Sequence, residues 1–177
     1  MKLFHVSEES DISVFVPRLR TKYRMQDMEK ALVWSLNERC LPNFLTPRDC
    51  PRVTYHVNPE NKNTLNEDIL KFFSSSSRHC VAIEHAWYER MAKTSLYLYE
   101  FNPENFYSQV EDGAGYLVSE KTEYPISVAK IDDLFSELFK RNVEVRILNN
   151  LWQLAEEVKK STLNWSLCRM INAQPKP

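Results

Sequence analysis

The sequence predicts an α+β fold, in which a mixed or antiparallel β core carries inserted helices and is closed by a C-terminal β-α-β-α unit. Short alternating or β-branched apolar segments dominate the first two thirds of the chain, whereas helical spacing is clear in the last third. Of the 177 residues, 43% are hydrophobic and 12% are aromatic, which suits one domain whose core needs no disulfide. We therefore predict a single globular domain over residues 1–177.

The first part of the chain is predicted to be mostly strands. Apolar runs and period-two alternation predict strands at Leu3–Val6, Leu32–Leu36 and Val53–Val57. Three prolines between the last two strands leave room only for a short helix around Leu41–Leu45. Residues 58–78 begin Asn-Pro-Glu-Asn and run into four consecutive serines, so we predict a surface excursion there.

Further strands and two glycines follow in the middle of the chain. The apolar runs predict a short helix at Ala86–Ala92 and strands at Cys80–Glu84, Leu96–Phe101 and Tyr116–Ser119. The chain has only 2 glycines, Gly113 and Gly115. We expect them at a sharp turn or a close backbone approach, where other residues do not fit.

The C-terminal third has the clearest periodicity. A strand at Ile126–Lys130 is followed by two aspartates that favour a helix start, and Val143–Ile147 alternates as a half-buried strand. Apolar spacing then predicts a helix that carries Leu151 to Val158, and a last helix at Leu163–Ile171. Residues 174–177 are predicted to be a frayed tail.

Charge and cysteine content limit the classes of function. The 23 basic and 24 acidic residues give a net charge of −1, so the chain has no field that would attract a polyanion, and nucleic acid is not expected as a partner. The N-terminus has no signal-peptide pattern, no run is long and apolar enough to span a membrane, and the 4 cysteines form no CxxC pair. We expect a cytoplasmic protein with free thiols and no membrane partner.

No strong catalytic or metal-binding motif is present. Two glycines are too few for GxGxxG or a phosphate-binding P-loop, and GxSxG and HExxH are absent. His79 and His85 flank an apolar strand but lie too far apart along it to chelate one ion, so no metal is predicted.

The first strand contains the most informative polar residue. In Leu3–Ser7, period two places His5 and Ser7 on one face and Phe4 and Val6 on the other. A histidine inside an apolar strand needs a hydrogen-bond partner. A half-buried, hydrogen-bonded histidine is the commoner outcome, and contact with a ligand is the alternative.

Two later stretches also mix aromatic, charged and amide residues. The segment from Trp34 to Arg52 contains Arg48 and three prolines; arginine forks bind phosphate or carboxylate, and equally bind acidic residues of the same chain. The segment from Glu111 to Ser119 contains Tyr116 after the glycines, and its carboxylates suit either a cationic centre in a ligand or a solvated turn.

The chain resembles a small bacterial family known only as a domain of unknown function. The residues that carry the resemblance are Phe4-His5-Val6-Ser7-Glu8 with Phe15-x-Pro17-Arg18, Leu41-Pro42-Asn43-Phe44-Leu45-x-Pro47-Arg48-x-Cys50-Pro51-Arg52-Val53, and Gly113-Ala114-Gly115-Tyr116-x-Val118-Ser119. This resemblance covers most of the chain and implies no particular activity.

At the level of the fold, the opening strand is similar to the first strand of ADP-ribosyltransferase-like proteins, in which a histidine lies in the NAD pocket. That resemblance implies NAD as ligand or substrate, with His5 orienting the ribose and an acidic residue stabilising the oxocarbenium-like centre. Gly115 stands where the acidic residue is expected, so Glu111, Asp112 or Glu120 would have to replace it, and Glu111 is preferred.

The sequence therefore predicts a nucleotide pocket built from three separate stretches. Its catalytic candidates are Glu111 and His5, and its ligand-binding candidates are Ser7, Arg18, Trp34, Arg48, Arg52 and Tyr116. An enzyme that transfers ADP-ribose is one hypothesis. A non-catalytic ligand-binding module and a protein-interaction module, which would use the 58–78 excursion, are the alternatives.

Overall fold

The computed structural model describes residues 1–19, 30–108 and 115–177. Within these residues there are ten β-strands and four α-helices, which confirms the predicted α+β class. The strands are β1 (Leu3–Ser7), β2 (Val33–Asn37), β3 (Arg52–His56), β4 (His79–Glu84), β5 (Leu96–Phe101), β6 (Tyr107–Ser108), β7 (Tyr116–Ser119), β8 (Pro125–Ile131), β9 (Glu144–Leu148) and β10 (Asn164–Cys168). The helices are α1 (Asn66–Phe72), α2 (Tyr88–Lys93), α3 (Leu134–Lys140) and α4 (Trp152–Val158).

The contacts within the chain divide it into two compact units. The first contains Met1–Leu41 and Leu96–Lys130, and the second contains Pro42–Ser95 and Ile131–Pro177. A six-stranded sheet has the order β6-β7-β2-β1-β5-β8, and a four-stranded sheet has the order β10-β3-β4-β9.

One cluster of buried residues in the first unit lies on one face of its sheet. The pairs β1–β2, β1–β5, β2–β7 and β6–β7 are antiparallel. Leu3, Val33, Phe101 and Leu117 are buried together on this face, which we call the Leu3 face. Phe15 and Phe106 pack against them, so the segment after β1 and the segment after β5 both cover the Leu3 face.

Gly115 confirms the expectation of a close backbone approach. Its φ is +71°, and a Cβ atom there would collide with the side chain of Cys40 and lie 2.8 Å from Oδ1 of Asn37. The backbone carbonyl of Gly115 accepts a hydrogen bond of 3.0 Å from the amide of Asn37. Gly113 and the rest of the predicted turn lie outside the described residues.

The core of the second unit packs on one face of the four-stranded sheet. Strands β10, β3 and β4 are antiparallel neighbours, and β9 is parallel to β4. Val53 and Tyr55 from β3 and Cys80 and Ala82 from β4 face α1 and α4 and are fully buried, together with Phe72, Phe73, Leu151, Ala155, Val158 and Leu163.

The predicted helix at Leu163–Ile171 is wrong. Residues Asn164–Cys168 form β10, which pairs with β3 from Asn164 opposite His56 to Cys168 opposite Arg52. A short 3-10 turn, Met170–Asn172, follows. The apolar residues of this segment alternate with polar ones, as in a strand. The edge of β3 supplies backbone hydrogen-bond partners, and this pairing stabilises the strand over a helix.

Two surface expectations also differ from the structure. The 58–78 excursion contains α1 and contributes Phe72 and Phe73 to the core of the second unit. The tail from residue 174 is held rather than frayed, because the amide of Gln174 donates to the buried carboxylate of Glu84 at 3.0 Å. The indole nitrogen of Trp152 in turn donates to the carbonyl of Gln174 at 2.7 Å.

The predicted element order of the C-terminal third is otherwise confirmed. The carboxylate of Asp133 caps α3 by accepting a hydrogen bond from the amide of Ser136 at 2.9 Å. Strands β8 and β9 flank α3, and α4 follows with its apolar face buried. The two strands belong to different sheets, so the four elements do not form one continuous β-α-β-α layer.

Candidate functional site

His5 lies half-buried on the Leu3 face. Its Nδ1 is 3.1 Å from the carbonyl oxygen of Trp34, and because a carbonyl only accepts, Nδ1 carries the proton of this hydrogen bond. The ring of Phe15 packs against the imidazole with centroids 4.8 Å apart. His5 is therefore the hydrogen-bonded, half-buried histidine that the sequence favours.

The segment after β1 folds back over the Leu3 face. The hydroxyl of Tyr99 in β5 donates to the carbonyl of Glu9 at 2.6 Å and accepts from the amide of Ile12 at 3.2 Å. Phe15 pairs through its backbone with Glu123, at 2.8 and 2.9 Å, and its ring contacts that of Tyr99. These bonds fix the position of the Phe15 ring beside His5.

Three of the predicted site residues come together at one end of the first sheet. Because β1 and β2 are antiparallel, the end of β1 at Ser7 lies beside the beginning of β2. Arg18 forms an antiparallel bridge with Leu32, directly before β2, so its backbone lies at this same end. The backbones of Ser7 and Arg18 thus lie at the same end of the sheet, and His5 is two residues before Ser7 on β1.

Trp34 and Tyr116 do not share the face of His5. Val33 and Leu117 point into the core on the Leu3 face, so their chain neighbours Trp34 and Tyr116 point to the opposite face. There the two rings contact each other edge to face, with centroids 5.4 Å apart. Strand alternation therefore separates this aromatic pair from His5 and Ser7.

The acidic candidates differ in their surroundings. Glu111, the preferred catalytic acid, and Asp112 lie outside the described residues. Glu120 is exposed and accepts hydrogen bonds from Nζ of Lys30 at 2.9 Å and from the hydroxyl of Tyr107 at 2.7 Å. These two hydrogen bonds hold the pKa of the Glu120 carboxyl below its usual value.

A buried carboxylate that sequence reasoning missed belongs to Glu123. It is 6% exposed and accepts a hydrogen bond of 2.5 Å from the hydroxyl of Ser119. The residue lies in a polar turn, Lys121-Thr122-Glu123, whose composition is that of a solvated loop. Its backbone pairing with Phe15 across more than 100 positions is what buries it, and no local pattern signals that pairing.

Arg48 and Arg52 belong to the second unit. Arg48 is exposed, whereas Arg52 is only 5% exposed. Nε of Arg52 donates to the carbonyl of Asn43 at 2.6 Å, and Nη1 donates to the carbonyl of Cys50 at 3.0 Å. The guanidinium also lies over the ring of Phe44, 4.9 Å from its centroid.

A buried polar stripe runs along β3 on the face opposite the core. Arg52, Thr54 and His56 alternate with Val53 and Tyr55, and all five are buried. Polar residues that alternate along a strand buried on both faces can be recognised in the sequence, and they indicate a buried polar face. Of these residues, only Arg52 is identified from the sequence as a candidate, and Thr54 and His56 are missed.

His79 on β4 extends the stripe beyond His56. The rings of His56 and His79, which are opposite each other on β3 and β4, stack with centroids 4.9 Å apart. Nε2 of His79 is 2.7 Å from Oδ1 of Asn43. Burial, and then the neighbouring His56, lower the pKa of His79 to about 3, so its ring is neutral at physiological pH.

Within residues 1–19, 30–108 and 115–177 there is no group of three or more side chains that could hold a metal ion. A surface cavity of about 350 Å³ in the second unit is lined by His85, Ala86, Tyr88 and Glu89, which the sequence did not indicate as a site. In the described part of the chain, no helix is long and apolar enough to cross a membrane.

Comparison with known proteins identifies a family without naming an activity. Neither the search of curated proteins nor the search of solved structures finds a match. A family-level comparison matches residues 4–173, a range that covers most of both units and every residue proposed for a site. The chain therefore belongs to the family of unknown function DUF6886.

Proposed function

We propose that the first unit binds a nucleotide such as NAD at the end of its sheet that carries His5, Ser7 and Arg18. The observation that carries this proposal is the fixed position of the His5 ring, held by Trp34 on Nδ1 and by Phe15 on one side. A ring held in this way keeps its orientation without a ligand, so binding would not require it to be ordered first.

Each group has a role that suits a nucleotide. The imidazole of His5 forms a hydrogen bond with a ribose hydroxyl, and the hydroxyl of Ser7 serves the same end of the ligand. The guanidinium of Arg18 pairs with a phosphate. The similarity of the opening strand to ADP-ribosyltransferase-like proteins supports NAD as the first nucleotide to test, and Trp34 and Tyr116 are left out of this site because they lie on the other face.

Binding without turnover is the form of the proposal that the geometry supports best. Transfer of ADP-ribose requires a carboxylate against the positive charge that develops at the ribose. Glu120 is tied to Lys30 and Tyr107, and Glu123 is buried against Ser119. Glu111 remains the candidate acid for the enzyme hypothesis. That hypothesis would be established if the wild-type protein releases nicotinamide from NAD and Glu111→Gln does not.

The test is a thermal-shift and calorimetric titration with NAD, ADP-ribose and AMP. At about 100 times its dissociation constant, a ligand that binds only the folded state stabilises it by about 2.7 kcal/mol, which is a readily measured shift. We expect His5→Asn to weaken binding at least about tenfold, because the asparagine amide can replace the Nδ1 donor to Trp34 but not the imidazole ring that contacts the ligand.

Two serines provide the matched control. Ser7→Ala should weaken binding, whereas Ser10→Ala, an exposed hydroxyl three positions further on, should leave the affinity unchanged. The proposal is wrong if none of the three nucleotides stabilises the wild-type protein, or if His5→Asn and Ser7→Ala both bind as tightly as wild type. The first of these results would favour the protein-interaction alternative.

A further inference from the structure

The second unit buries a positive charge that forms no ion pair with the described residues. Arg52 is 5% exposed, yet among residues 1–19, 30–108 and 115–177 no carboxylate lies within 4.0 Å of its guanidinium. Removing a charge from water costs several kcal/mol unless an opposite charge or a full set of hydrogen bonds compensates. The buried arginine therefore requires an explanation.

A structural role accounts for only part of this arrangement. The bonds from Nε and Nη1 to the carbonyls of Asn43 and Cys50 fasten the proline-rich segment to β3. The partial charges of two carbonyl oxygens do not balance the full charge of the guanidinium, and two hydrogen bonds use only two of its five N–H groups. The described part of the chain offers no acceptor to Nη2, and Nη2 is not among its buried polar atoms without a partner, so this edge of the fork is accessible from solvent.

Besides the two carbonyls, the side chains of Asn43, Thr46 and His79 in this part of the second unit are uncharged. Oδ1 of Asn43 is engaged by His79, which leaves the amide NH2 of Asn43 as a donor in the same segment. Thr46, 3% exposed, has a buried hydroxyl with no hydrogen-bond partner among the described residues. His79 is neutral, so the guanidinium is the one full charge of this network.

We propose that Arg52 binds a singly charged oxyanion, a carboxylate or a phosphodiester group, through the Nη2 edge of its guanidinium. A single buried cation matches a single negative charge, whereas a dianion would leave one negative charge uncompensated in a poorly solvated site. The planar fork suits two oxygens on one atom, and Asn43 and Thr46 supply neutral donors from the segment that Arg52 fastens. This site stands independently of the nucleotide site proposed in the first unit.

The experiment uses the whole chain and small anions. Sodium acetate, sodium dimethyl phosphate and sodium sulfate each replace sodium chloride at constant ionic strength, and thermal unfolding is followed together with the arginine Nε–Hε signals in NMR spectra. We expect a saturable rise in Tm with acetate or dimethyl phosphate, and a matching shift of one slowly exchanging Nε–Hε signal. Acetate alone would identify a carboxylate, and dimethyl phosphate alone would identify a phosphodiester.

Two variants at Arg52 and one control complete the test. Arg52→Lys keeps the charge but loses the planar fork, so the anion affinity should fall at least about tenfold. Arg52→Gln should abolish the anion effect. Arg78→Gln is the matched control, because Arg78 also donates to a carbonyl, that of Ser77 at 2.7 Å, but is exposed. It should bind as wild type does.

Three results would overturn the proposal. The wild-type protein could show the same Tm in all four salts with no shifted arginine signal, sulfate could stabilise it more than either monoanion, or Arg52→Lys could bind with wild-type affinity. If Arg52→Gln does not fold, the wild-type titration and the Arg52→Lys variant still test the proposal, because the arginine Nε–Hε signal is measured on the folded wild-type protein.

Discussion

At the scale of single residues, Gly115 connects the fold to the proposed function. Its backbone has φ of +71°, and a side chain there would collide with Cys40 and crowd Asn37. The amide of Cys40 also donates to Oδ1 of Asn37 at 2.9 Å, so these neighbours are held in place. The ADP-ribosyltransferase resemblance would put an acidic residue at this position. Packing excludes it, so a catalytic acid would have to come from elsewhere in the chain.

We predict that Gly115→Ala destabilises the protein by about 2–5 kcal/mol. An L-residue in the left-handed region costs about 1–2 kcal/mol, and overpacking adds about 1–3 kcal/mol. Urea unfolding followed by circular dichroism measures the loss. The double variant with Cys40→Ala should recover only the part of the packing component that the Sγ atom causes, because the Cβ atom of residue 40 and Oδ1 of Asn37 remain against the new methyl group, so the two substitutions should couple favourably but weakly. Gly115→Ala with wild-type stability would contradict the prediction.

Single residues also indicate what the sequence could and could not reveal about the sites. His5 and Ser7 could be selected because polar residues in an apolar strand need partners, and Arg52 because it lies in an arginine-rich, proline-constrained segment. The bond between His79 and Asn43 joins residues 36 positions apart. The burial of Glu123 likewise depends on a distant partner, Phe15. Such pairings follow from tertiary structure, and no local pattern indicates them.

At the scale of elements, strands with strong alternation or β-branching could be predicted, and segments without either could not. Strands β3, β5 and β9 lie within one residue of their predicted limits. The last segment, Leu163–Ile171, is predicted as a helix, but its residues Asn164–Cys168 form β10. Pairing with the edge of β3 outweighs the helical preference expected there, as tertiary contacts commonly outweigh propensity in short segments.

Helix α1 provides the sharpest test at this scale, because it lies in the segment that the sequence predicts to be a surface excursion. Phe72 is 2% exposed, its ring contacts Tyr55, and its carbonyl accepts from the Tyr55 hydroxyl at 3.0 Å. We predict that Phe72→Ala lowers the free energy of unfolding by about 3–5 kcal/mol, the usual cost of a cavity of this size. Urea unfolding provides the measurement.

The control for this prediction lies in the same helix. Leu70 is 81% exposed, so Leu70→Ala should change the free energy of unfolding by less than about 0.5 kcal/mol. If both variants retain wild-type stability, the 58–78 segment is the surface excursion that the sequence predicted, and Phe72 does not belong to the core.

At the scale of the whole molecule, the number of cooperative units could not be read from the sequence. Each compact unit is assembled from two separate stretches of chain, and the chain passes between the units at residues 41–42, 95–96 and 130–131. None of these positions has the glycine-rich or serine-rich composition of a linker. A single domain over residues 1–177 is thus still a prediction.

The cysteines provide a way to test that prediction. All 4 are free thiols, with Cys40, Cys50 and Cys80 buried and Cys168 partly exposed. Burial raises the pKa of Cys50 and of Cys80 to about 12, so neither reacts with an alkylating reagent until its surroundings open. Cys40 reports on the first unit, and Cys50 and Cys80 report on the second.

We predict that Cys40, Cys50 and Cys80 become alkylated with one common free energy of opening. In a Cys168→Ser background, which removes the accessible thiol, iodoacetamide labelling at increasing urea concentrations is read for each cysteine by peptide mass spectrometry. If opening is global, the three free energies and their dependence on urea coincide, because every thiol waits for the same event. A lower free energy and a shallower slope for Cys40 than for the other two would mean that the first unit unfolds separately.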